Sequence, residues 1–396
     1  MSQLIYLDNA ATTAVRPEVF EKRKPFFIEN YSNPSAVYSF AGDTKEAVEK
    51  AREQIAAVLG AKAKEIYFTA GGSESDNWAI KGIAEALQEK GKHIITSKIE
   101  HHAVLHTCEY LEKHGYEVTY LDVDVDGVVS PEAVEKAIRP DTILISIMTA
   151  NNEIGTIEPI AQIGAVAKKH GILFHTDAVQ AFAHIPMNVD EMNIDLLSAS
   201  GHKFNGPKGV GFLYIRSGIK IGPFVHGGAQ ERGRRAGTTN VPGVVGMAEA
   251  ARLAQEEMDK RIEKETAVRD YFIEQIEKRV PYAKLNGHRT NRLPNNVNFC
   301  FRFIEGESLL ILLDQKGICG SSGSACTSGS LDPSHVLLAI GLPHEIAHGS
   351  LRLTLSEATT KDDAQFVVSE LEKIVERLRR MSPLYEDFVK EEKKNA

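Results

Sequence analysis

The sequence predicts an α/β protein in which a mostly parallel sheet is covered by helices and is followed by a smaller α+β domain. Two observations support this fold class. Between about residues 64 and 215, short apolar runs alternate with amphipathic helical patterns, which is typical of strand–helix–strand units. The short runs are apolar at successive positions, and strands of that kind are usually buried between two layers of helices.

The predicted elements follow in order along the first part of the chain. A helix over 43–59 places its apolar residues, among them Val48, Ile55 and Leu59, on one face. Strands are predicted over 65–69, 94–96, 118–121, 142–148, 171–176 and 209–215. Helices are predicted between them over 76–90, 103–114 and 160–170. The alternation of these two kinds of element is what predicts the parallel sheet.

The second part of the chain has a different order of elements. One or two long, charge-rich helices over 242–279 are predicted to link the two parts. Strands are then predicted over 296–303 and 350–355, and helices over 308–316 and 362–380. The last helix begins at Thr359 or Thr360, each of which can cap it. We therefore expect a large domain over 15–255 and a small domain formed by 1–14 and 256–396.

Composition limits the possible functions. The 396 residues carry a net charge of −8, which gives no basic footprint for nucleic acid. Hydrophobic residues make up 42% of the chain, which is ordinary for a globular protein. No apolar run is long enough to span a bilayer, and the N-terminal residues lack the pattern of a signal peptide. The four cysteines form no CxxC pair, which favours a reducing compartment. We therefore expect a cytoplasmic protein without nucleic-acid or membrane partners.

The most informative residue is Lys203, which follows a run of small residues, 198–202, and precedes the predicted strand over 209–215. A buried amine loses pKa and becomes a nucleophile, which is what a lysine needs to form a Schiff base with a carbonyl cofactor. The alternative is an ordinary surface lysine in a turn. Three further segments favour the cofactor interpretation.

The first of these segments combines a strand, a glycine turn and the start of a helix over 68–76. Free backbone N–H groups at a helix start bind phosphate, and the hydroxyl of Ser73, next to Gly72, can contribute. A plain capping box from Ser73 to Asp76 is the alternative. Glu74 and Asp76 lie in the first turn, where their charges would partly repel an anion.

The second segment, 175–180, lies at the C-terminal end of a predicted strand, where open α/β sheets bind their ligands. Asp177 could pair there with a protonated pyridine nitrogen, and Gln180 could donate to a neighbouring ring oxygen. A metal site built from His175 and Asp177 is the alternative, although no third ligand of suitable spacing is evident.

The third segment places His101 after another predicted strand, where its imidazole could stack on a flat ring and move protons. A helix-capping histidine is the alternative. Asn152 follows the strand predicted over 142–148 and converges on the same edge of the sheet.

Two further residues extend the site. Cys326 lies in a loop of small residues, 320–330, which lacks the pattern of a core and could present a nucleophilic thiol. Arg352, on the strand predicted over 350–355, could bind a substrate carboxylate through its planar guanidinium. The alternatives are an incidental cysteine and a surface salt bridge. The other three cysteines lie in helix or strand patterns and are interpreted as packing residues.

Together these segments resemble the cysteine desulfurases of the NifS/IscS type, which are enzymes of fold type I related to the class V aminotransferases. The resemblance runs from Tyr6 to about Tyr385. Its most specific parts are 175–180, 200–203, 206–209, 232–238 and 321–335. It implies a mostly parallel seven-stranded sheet, the cofactor pyridoxal 5′-phosphate and no metal of the protein's own.

The resemblance also implies a role for each cofactor-binding residue. Lys203 would bond to the cofactor aldehyde, His101 would stack on the ring, and Asp177 would pair with the pyridine nitrogen. Gln180 and Asn152 would lie near the phenolic oxygen. The phosphate would be held by Gly72, Ser73, Ser200 and His202, and by Thr238 of a neighbouring subunit, which implies a homodimer.

For the reaction, the resemblance implies that Asn152 and Arg352 hold the carboxylate of L-cysteine and that Lys203 moves the α-proton. Cys326 would take the sulfur as a persulfide and leave L-alanine. The sulfur would then pass to iron–sulfur cluster assembly or to another acceptor protein. The segment 381–386 resembles the tail through which such enzymes meet an iron–sulfur scaffold.

Three positions depart from the common pattern of these enzymes. Ser73 stands where threonine is frequent, Tyr38 where histidine is common, and Glu357 where a basic or small residue is usual. The alternatives that stay open are another class V enzyme, such as an aminotransferase or a selenocysteine lyase, a non-catalytic sulfur carrier, and a zinc hydrolase.

Overall fold

The computed structural model describes residues 4–322 and 333–395. Its strands are β1 (Ile5–Tyr6), β2 (Ile66–Thr69), β3 (His93–Ser97), β4 (Glu117–Leu121), β5 (Thr142–Ser146), β6 (Leu173–Asp177), β7 (Leu196–Ser200), β8 (Gly211–Ile215), β9 (Ala283–Leu285), β10 (Asn296–Phe301), β11 (Ile318–Cys319) and β12 (Ser350–Thr354). Its longer helices are α1 (Pro17–Arg23), α2 (Pro25–Ile28), α3 (Gly42–Leu59), α4 (Gly72–Ala86), α5 (His102–Glu112), α6 (Pro131–Ala137), α7 (Ile160–His170), α8 (Val241–Glu256), α9 (Met258–Arg279), α10 (Gly306–Asp314), α11 (His335–Ala339), α12 (His344–Ala347), α13 (Lys361–Arg380) and α14 (Pro383–Asn395).

Seven strands form the main sheet in the order β2-β8-β7-β6-β5-β3-β4. The strands β7, β6, β5, β3 and β4 pair in parallel, whereas β8 is antiparallel to both of its neighbours, β2 and β7. Six strands therefore run in one direction and end at one edge. This arrangement confirms the predicted α/β fold with a mostly parallel seven-stranded sheet.

The two faces of this sheet are covered by different helices. Successive strand side chains point to opposite faces, so that Ile94 packs with Trp78 of α4, while the next residue, Ile95, packs in the cluster that contains Ile55 of α3. Because both faces are covered, the central strands are buried along their whole length.

A second sheet, β12-β10-β9, is antiparallel and has its own apolar core. Phe272 of α9 and Val367 and Leu371 of α13 pack in the same cluster as Phe299 of β10. The helix α13 begins at Thr360, whose hydroxyl accepts from the N–H of Asp363 at 3.1 Å in a capping box, as one of the two predicted starts requires.

The predicted link over 242–279 consists of two helices, which break at Glu257. The helix α8 packs with the main sheet, and α9 packs with the second one. This difference supports the division into a large domain (15–255) and a small domain (1–14 and 256–396), which stays a prediction. In the part of the chain that the structure describes, no helix has the length and apolar character needed to traverse a bilayer.

The N-terminal segment connects the two sheets. Ile5 and Tyr6 pair with β11, and Asp8 bridges to Thr354 of β12. The segment then reaches the end of β7, where the hydroxyl of Thr13 donates to the carbonyl of His202 at 2.8 Å. A few residues at the start of the chain therefore hold the end of the main sheet against the second sheet.

Arg292 provides another connection between the two sheets. Its buried guanidinium donates to the carbonyl of Ile154 at 2.9 Å, beyond β5, and to both oxygens of Asn296 in β10. It also donates to the carbonyls of Asn286 and His288. Burial lowers the pKa of Arg292 to about 9. The five acceptors replace the water that the guanidinium loses on folding.

We predict that Arg292→Met destabilises the protein by about 3 kcal/mol or more, because it leaves several buried carbonyls without a donor. The midpoint of urea unfolding measures the effect. Arg289→Met is the matched control, since Arg289 forms an exposed pair with Glu277 that is worth less than about 1 kcal/mol. Equal midpoints for the two variants would contradict this account of Arg292.

Candidate active site

The carboxyl ends of the parallel strands surround one cavity of about 270 Å³. Ten predicted site residues line it: Gly72, Ser73, His101, Asn152, Asp177, Gln180, Ser200, His202, Lys203 and Arg352. They come from the last residues of β6 and β7, from the segments that follow β2, β3, β5, β6 and β7, and from β12. The structure thus brings together residues that are up to 280 positions apart, while the role of each residue stays a prediction.

Lys203 lies in a short turn directly after β7 and is half-buried. Its Nζ donates to the carbonyl oxygens of Ala10 and Ala11, at 2.6 and 2.9 Å. The N-terminal segment therefore holds the amine at the wall of the cavity. Gln180 donates through Nε2 to the same carbonyl of Ala10 at 3.0 Å.

Asp177 is the last residue of β6 and is buried. Its Oδ1 accepts from the N–H of Val179 at 2.8 Å. Burial raises the pKa of Asp177 to about 6, although Val179 and the nearby amine of Lys203 act in the opposite direction. Asp177 therefore ionises close to neutral pH and would be stabilised by a cationic group placed in the cavity.

A second carboxyl group, Asp76 of α4, lines the same cavity and is fully buried. Burial and the neighbouring Asp177 both raise the pKa of Asp76. Its Oδ1 has no hydrogen-bond partner among the described residues. Two adjacent buried carboxyl groups favour a ligand that brings a proton or a positive charge.

His175 occupies the position before Asp177 on the same face of β6, yet it does not behave as a metal ligand. Its two ring nitrogens are hydrogen-bonded to the hydroxyls of Ser146 and Ser198, at 2.8 and 3.0 Å. Burial lowers the pKa of His175 to about 3. Within residues 4–322 and 333–395, no three His, Cys, Asp or Glu side chains are arranged to hold a metal ion.

His101 is the N-cap of α5, and its Nδ1 accepts from the N–H of Ala103 at 3.1 Å. The capping alternative and the predicted place in the cavity are therefore both correct. Burial, with a further contribution from Lys203, lowers the pKa of His101 to about 4. A neutral His101 with Nδ1 as acceptor carries its proton on Nε2.

Beyond Gly72 and Ser73, the cavity continues into a second one of about 500 Å³. This second cavity is also lined by Ser200, His202 and Lys208. The helix α4 begins at Gly72 without a side-chain cap, so the predicted capping box from Ser73 to Asp76 is wrong. A Cβ on Gly72 would lie 2.6 Å from Val179, so only glycine fits this turn without a shift.

Arg352 lies at the small-domain side of the cavity and is buried. Its Nη1 donates to the carbonyl of Asn152 at 2.9 Å, and its Nη2 donates to Oδ1 of Asp8 at 3.0 Å. The buried Nε of Arg352 has no hydrogen-bond partner among the described residues. Backbone hydrogen bonds with Ser321, at 2.6 and 3.0 Å, join Arg352 to the start of the predicted cysteine loop.

One predicted site residue among the described ones is not at this cavity. Thr238 is exposed and lines a different depression together with Arg235 and Asn240. Its predicted role concerns a neighbouring subunit. Cys326 lies outside the described residues.

Sequence reasoning did not assign Asp76 or Asp8 to the site. Asp76 was interpreted as part of a helix cap and as a charge that opposes an anion, because the predicted helix began at residue 76 and not at Gly72. Asp8 belongs to the N-terminal segment that carries the family resemblance, but no local pattern pairs it with Arg352, which is 344 positions away. A buried ion pair of that kind has no signal in a single sequence.

Comparison with known proteins agrees with this geometry. A sequence profile of the family described as "Aminotransferase class-V" matches residues 5–367. A protein named cysteine desulfurase IscS, from Dictyoglomus turgidum, is 58% identical over 98% of both chains. A solved structure entitled "NIFS-LIKE PROTEIN" is 39% identical, with a TM-score of 0.90 over 95% of this chain and 100% of the other.

A second solved structure, entitled "SspA in complex with cysteine", is 42% identical. Its TM-score is 0.80, over 90% of this chain and 100% of that one. The chain therefore belongs to the class V aminotransferase family, and its predicted likeness to the cysteine desulfurases is confirmed.

Pyridoxal phosphate is the cofactor of this enzyme, and the residues of the cavity fit it. The buried and partly unpaired carboxyl groups of Asp76 and Asp177 suit the pyridine nitrogen in its protonated form. The amine of Lys203 lies at the wall of the same cavity, within reach of an aldehyde. The start of α4 at Gly72 and the lining by Ser73, Ser200 and His202 suit a phosphate.

The raised pKa of Asp177 predicts a cost in stability. In the folded, cofactor-free protein Asp177 ionises near pH 6, compared with its ordinary 3.8. Stability is therefore lost as the pH rises through this window, by about 2–3 kcal/mol. Asp177→Asn should remove this loss, so that the cofactor-free variant is more stable than the parent at about pH 7.5 and differs less at about pH 5.

Urea unfolding of both cofactor-free proteins at the two pH values tests this prediction. Asp122→Asn is the control, because Asp122 is exposed and its pair with Lys98 lies at the surface. Parallel stability–pH curves for the parent and Asp177→Asn would contradict a buried charge at Asp177.

Proposed function

We propose that this protein is a cysteine desulfurase that uses the described cavity to remove sulfur from L-cysteine and to form L-alanine. One observation carries the assignment of the residues. A single cavity holds an amine, a buried carboxyl pair, an imidazole and a guanidinium, on Lys203, Asp177 and Asp76, His101 and Arg352 respectively. The relative named cysteine desulfurase IscS, 58% identical over nearly the whole chain, supports the same activity.

The cofactor supplies an electron-withdrawing ring that, when bound, allows the α-proton of an amino acid to leave. Asp177 keeps the ring nitrogen protonated by offering a buried carboxylate, and Asp76 adds negative charge beside it. His101 stays neutral at the working pH, since its pKa is lowered to about 4. It would therefore pack against the ring as a neutral aromatic group and offer its Nε2 proton.

Lys203 has two tasks in the proposed reaction. Its Nζ would hold the cofactor through the aldehyde, and with substrate bound the same atom would take the α-proton and return a proton to the product. The carbonyls of Ala10 and Ala11 orient the amine for both tasks. Because they belong to the N-terminal segment, the position of the base depends on the contact between the two domains.

Arg352 is proposed to bind the carboxylate of cysteine. Its guanidinium is oriented by Asn152 and Asp8 and borders the cavity on the side away from the phosphate end. A planar guanidinium suits a carboxylate through two parallel hydrogen bonds. The solved relative whose title states a complex with cysteine supports a cysteine site in this fold.

Cys326 is proposed as the sulfur acceptor. Four peptide links separate it from Ser322, so the chain limits the distance between the two Cα atoms to about 14 Å. Ser321 is hydrogen-bonded to Arg352 at the cavity. The Cys326 thiolate would attack the substrate sulfur: an S–S bond forms, the C–S bond breaks, and its electron pair stays with the carbon skeleton, which is then protonated to alanine.

A homodimer is also proposed, with Thr238 of each subunit at the phosphate of the other. Thr238 is exposed and lies outside its own cavity, which suits this role. The stretch 20–40 exposes large apolar side chains, and patches of that kind commonly mark protein interfaces. These side chains are Phe20, Phe27, Ile28, Tyr31, Val37, Tyr38 and Phe40.

The persulfide is proposed to serve iron–sulfur cluster assembly, or another sulfur acceptor, in the cytoplasm. The segment 381–386 would meet the scaffold protein. Met381, at the end of α13, and Leu384, in the first turn of α14, support this proposal, because both are apolar and exposed.

We predict that Arg352→Gln raises the KM for L-cysteine roughly 10- to 100-fold, because the charged partner of the substrate carboxylate is lost. Steady-state alanine formation measures the change. Arg380→Gln is the control, since Arg380 is exposed and pairs with Glu376 on α13. An unchanged KM in Arg352→Gln would place the substrate carboxylate elsewhere.

We predict that Cys326→Ser forms no alanine or sulfide from cysteine but keeps the visible absorbance of the bound cofactor. Mass spectrometry of the parent protein after exposure to cysteine should show one added sulfur atom on Cys326. Cys319→Ser is the matched control, because Cys319 is the partly exposed thiol of β11 and should be dispensable.

The same experiment separates the alternative functions. Transfer of the amino group to a keto acid, with alanine formation unaffected by Cys326→Ser, would indicate an aminotransferase. A protein that stays colourless after pyridoxal phosphate is supplied would indicate a non-catalytic sulfur carrier.

A further inference from the structure

An unexplained acidic residue lies at the phosphate end of the cavity. Glu74 is the third residue of α4, directly after Ser73, and lines the 500 Å³ extension together with Ser200 and His202. A negative charge in the first turn stabilises a helix, but it repels an anionic ligand at the same place. A phosphate group bound here would therefore meet a carboxylate unless another group neutralises it.

Arg235 lies against this carboxylate. Its Nε donates to Oε1 of Glu74 at 2.8 Å, and its Nη2 donates to Oε2 at 3.1 Å, which makes a two-point ion pair. Both side chains are largely buried, with 23% and 17% of their surfaces exposed. The contact raises the pKa of Arg235 further, so the pair stays charged.

The segment that carries Arg235 is held firmly in place. Glu231, which is buried, accepts two hydrogen bonds from the guanidinium of Arg52 and one from the N–H of Phe68 in β2. Glu231 and Arg232 adopt left-handed backbone conformations, with φ of 46° and 58°, which non-glycine residues rarely do. These contacts fix the guanidinium of Arg235 beside α4 before any ligand arrives.

Glu74 has a structural role in the turn that precedes α4. Its Oε2 also accepts from the N–H of Ala70 at 3.0 Å, and this N–H lies in the turn between β2 and α4. The carboxylate therefore shapes the turn that presents Gly72 and Ser73 to the phosphate. The turn needs the oxygen of Glu74 as a hydrogen-bond acceptor, whereas the negative charge of Glu74 repels the phosphate.

We propose that Arg235 is a positioning residue for phosphate binding: it neutralises Glu74, so that the turn at the start of α4 keeps its acceptor without repelling the cofactor phosphate. This inference rests on the proposed function, in which pyridoxal phosphate binds in this cavity. Arg235 acts through Glu74 and does not itself touch the phosphate. The proposal assigns a function to an ion pair that the reaction chemistry leaves unused.

The test compares two ligands that differ only in the phosphate. Dissociation constants for pyridoxal phosphate and for pyridoxal are measured on cofactor-stripped protein, from visible absorbance and from the fluorescence of Trp78, which is the single tryptophan and lies on α4. Arg235→Gln should weaken pyridoxal phosphate about tenfold and leave pyridoxal nearly unchanged. The loss should shrink in high salt, because added ions screen the charge of Glu74 that Arg235 no longer neutralises.

The double variant Glu74→Gln/Arg235→Gln should recover most of the affinity, since glutamine keeps an acceptor for Ala70 but has no charge. Arg234→Gln is the matched control, because this neighbouring arginine donates to the hydroxyl of Tyr67 and does not contact Glu74. It should bind both ligands like the parent. Circular dichroism verifies that each variant is folded.

Two results would overturn the proposal. If Arg235→Gln weakens pyridoxal as much as pyridoxal phosphate, Arg235 supports the whole site and not the phosphate. If the double variant binds as poorly as the single one, Arg235 acts on the phosphate directly. A parent protein that takes up no pyridoxal phosphate would instead refute the proposed function itself, which keeps the two failures distinct.

Discussion

The burial of two carboxyl groups, Asp76 and Asp177, is the constraint on which the site depends. A carboxylate taken out of water is costly unless donors or cations replace the solvent, and both groups accordingly have raised pKa values. The protein supplies the N–H of Val179 to Asp177 and a hydrogen bond from Ser198 to Asp76, but Oδ1 of Asp76 accepts no hydrogen bond from the described residues and lies 3.7 Å from Nε2 of His175. A cationic ring nitrogen in the cavity would therefore lower the free-energy cost of burying these two carboxylates. The carboxyl group of Asp177 is held at the end of β6, which is buried from Phe174 onward beside the fully buried β7.

The N-terminal segment positions two further groups at the same cavity, the amine of Lys203 and the guanidinium of Arg352. Within four residues it supplies Asp8, which pairs with Arg352, and the carbonyls of Ala10 and Ala11, which orient Lys203. The backbone of Asn9 and Ala10 is in turn bound to Thr354 on the strand that carries Arg352. The amine of Lys203 and the guanidinium of Arg352 are thus positioned by one short segment, although they lie at different sheets.

The sequence was sufficient to predict the sheet and most of the cavity, because both follow from local patterns. Buried strands are apolar throughout, and polar residues such as Asp177 and Asn152 that follow such strands must meet at one edge. The start of α4 was missed, since its N-cap is Gly71 without a capping side chain, and Asp76 was then placed in a cap and not in the cavity. Contacts between distant residues, such as Arg352 with Asp8, depend on how the two sheets meet, which no local pattern encodes.

Charges at the cavity occur as preformed pairs, and this arrangement suits ligands that carry several charges of their own. Glu74 is matched by Arg235, and Arg352 is matched by Asp8. A buried charge without a partner would cost several kcal/mol before binding, whereas a paired charge can exchange or share its partner with an incoming ligand. In the proposed reaction, a substrate carboxylate at Arg352 would compete with Asp8 or join it, and the cost of removing water from the guanidinium would already have been met during folding. Preorganisation of this kind favours an amino acid with a free carboxylate over a neutral analogue, because only the charged ligand can replace the interaction that Asp8 provides.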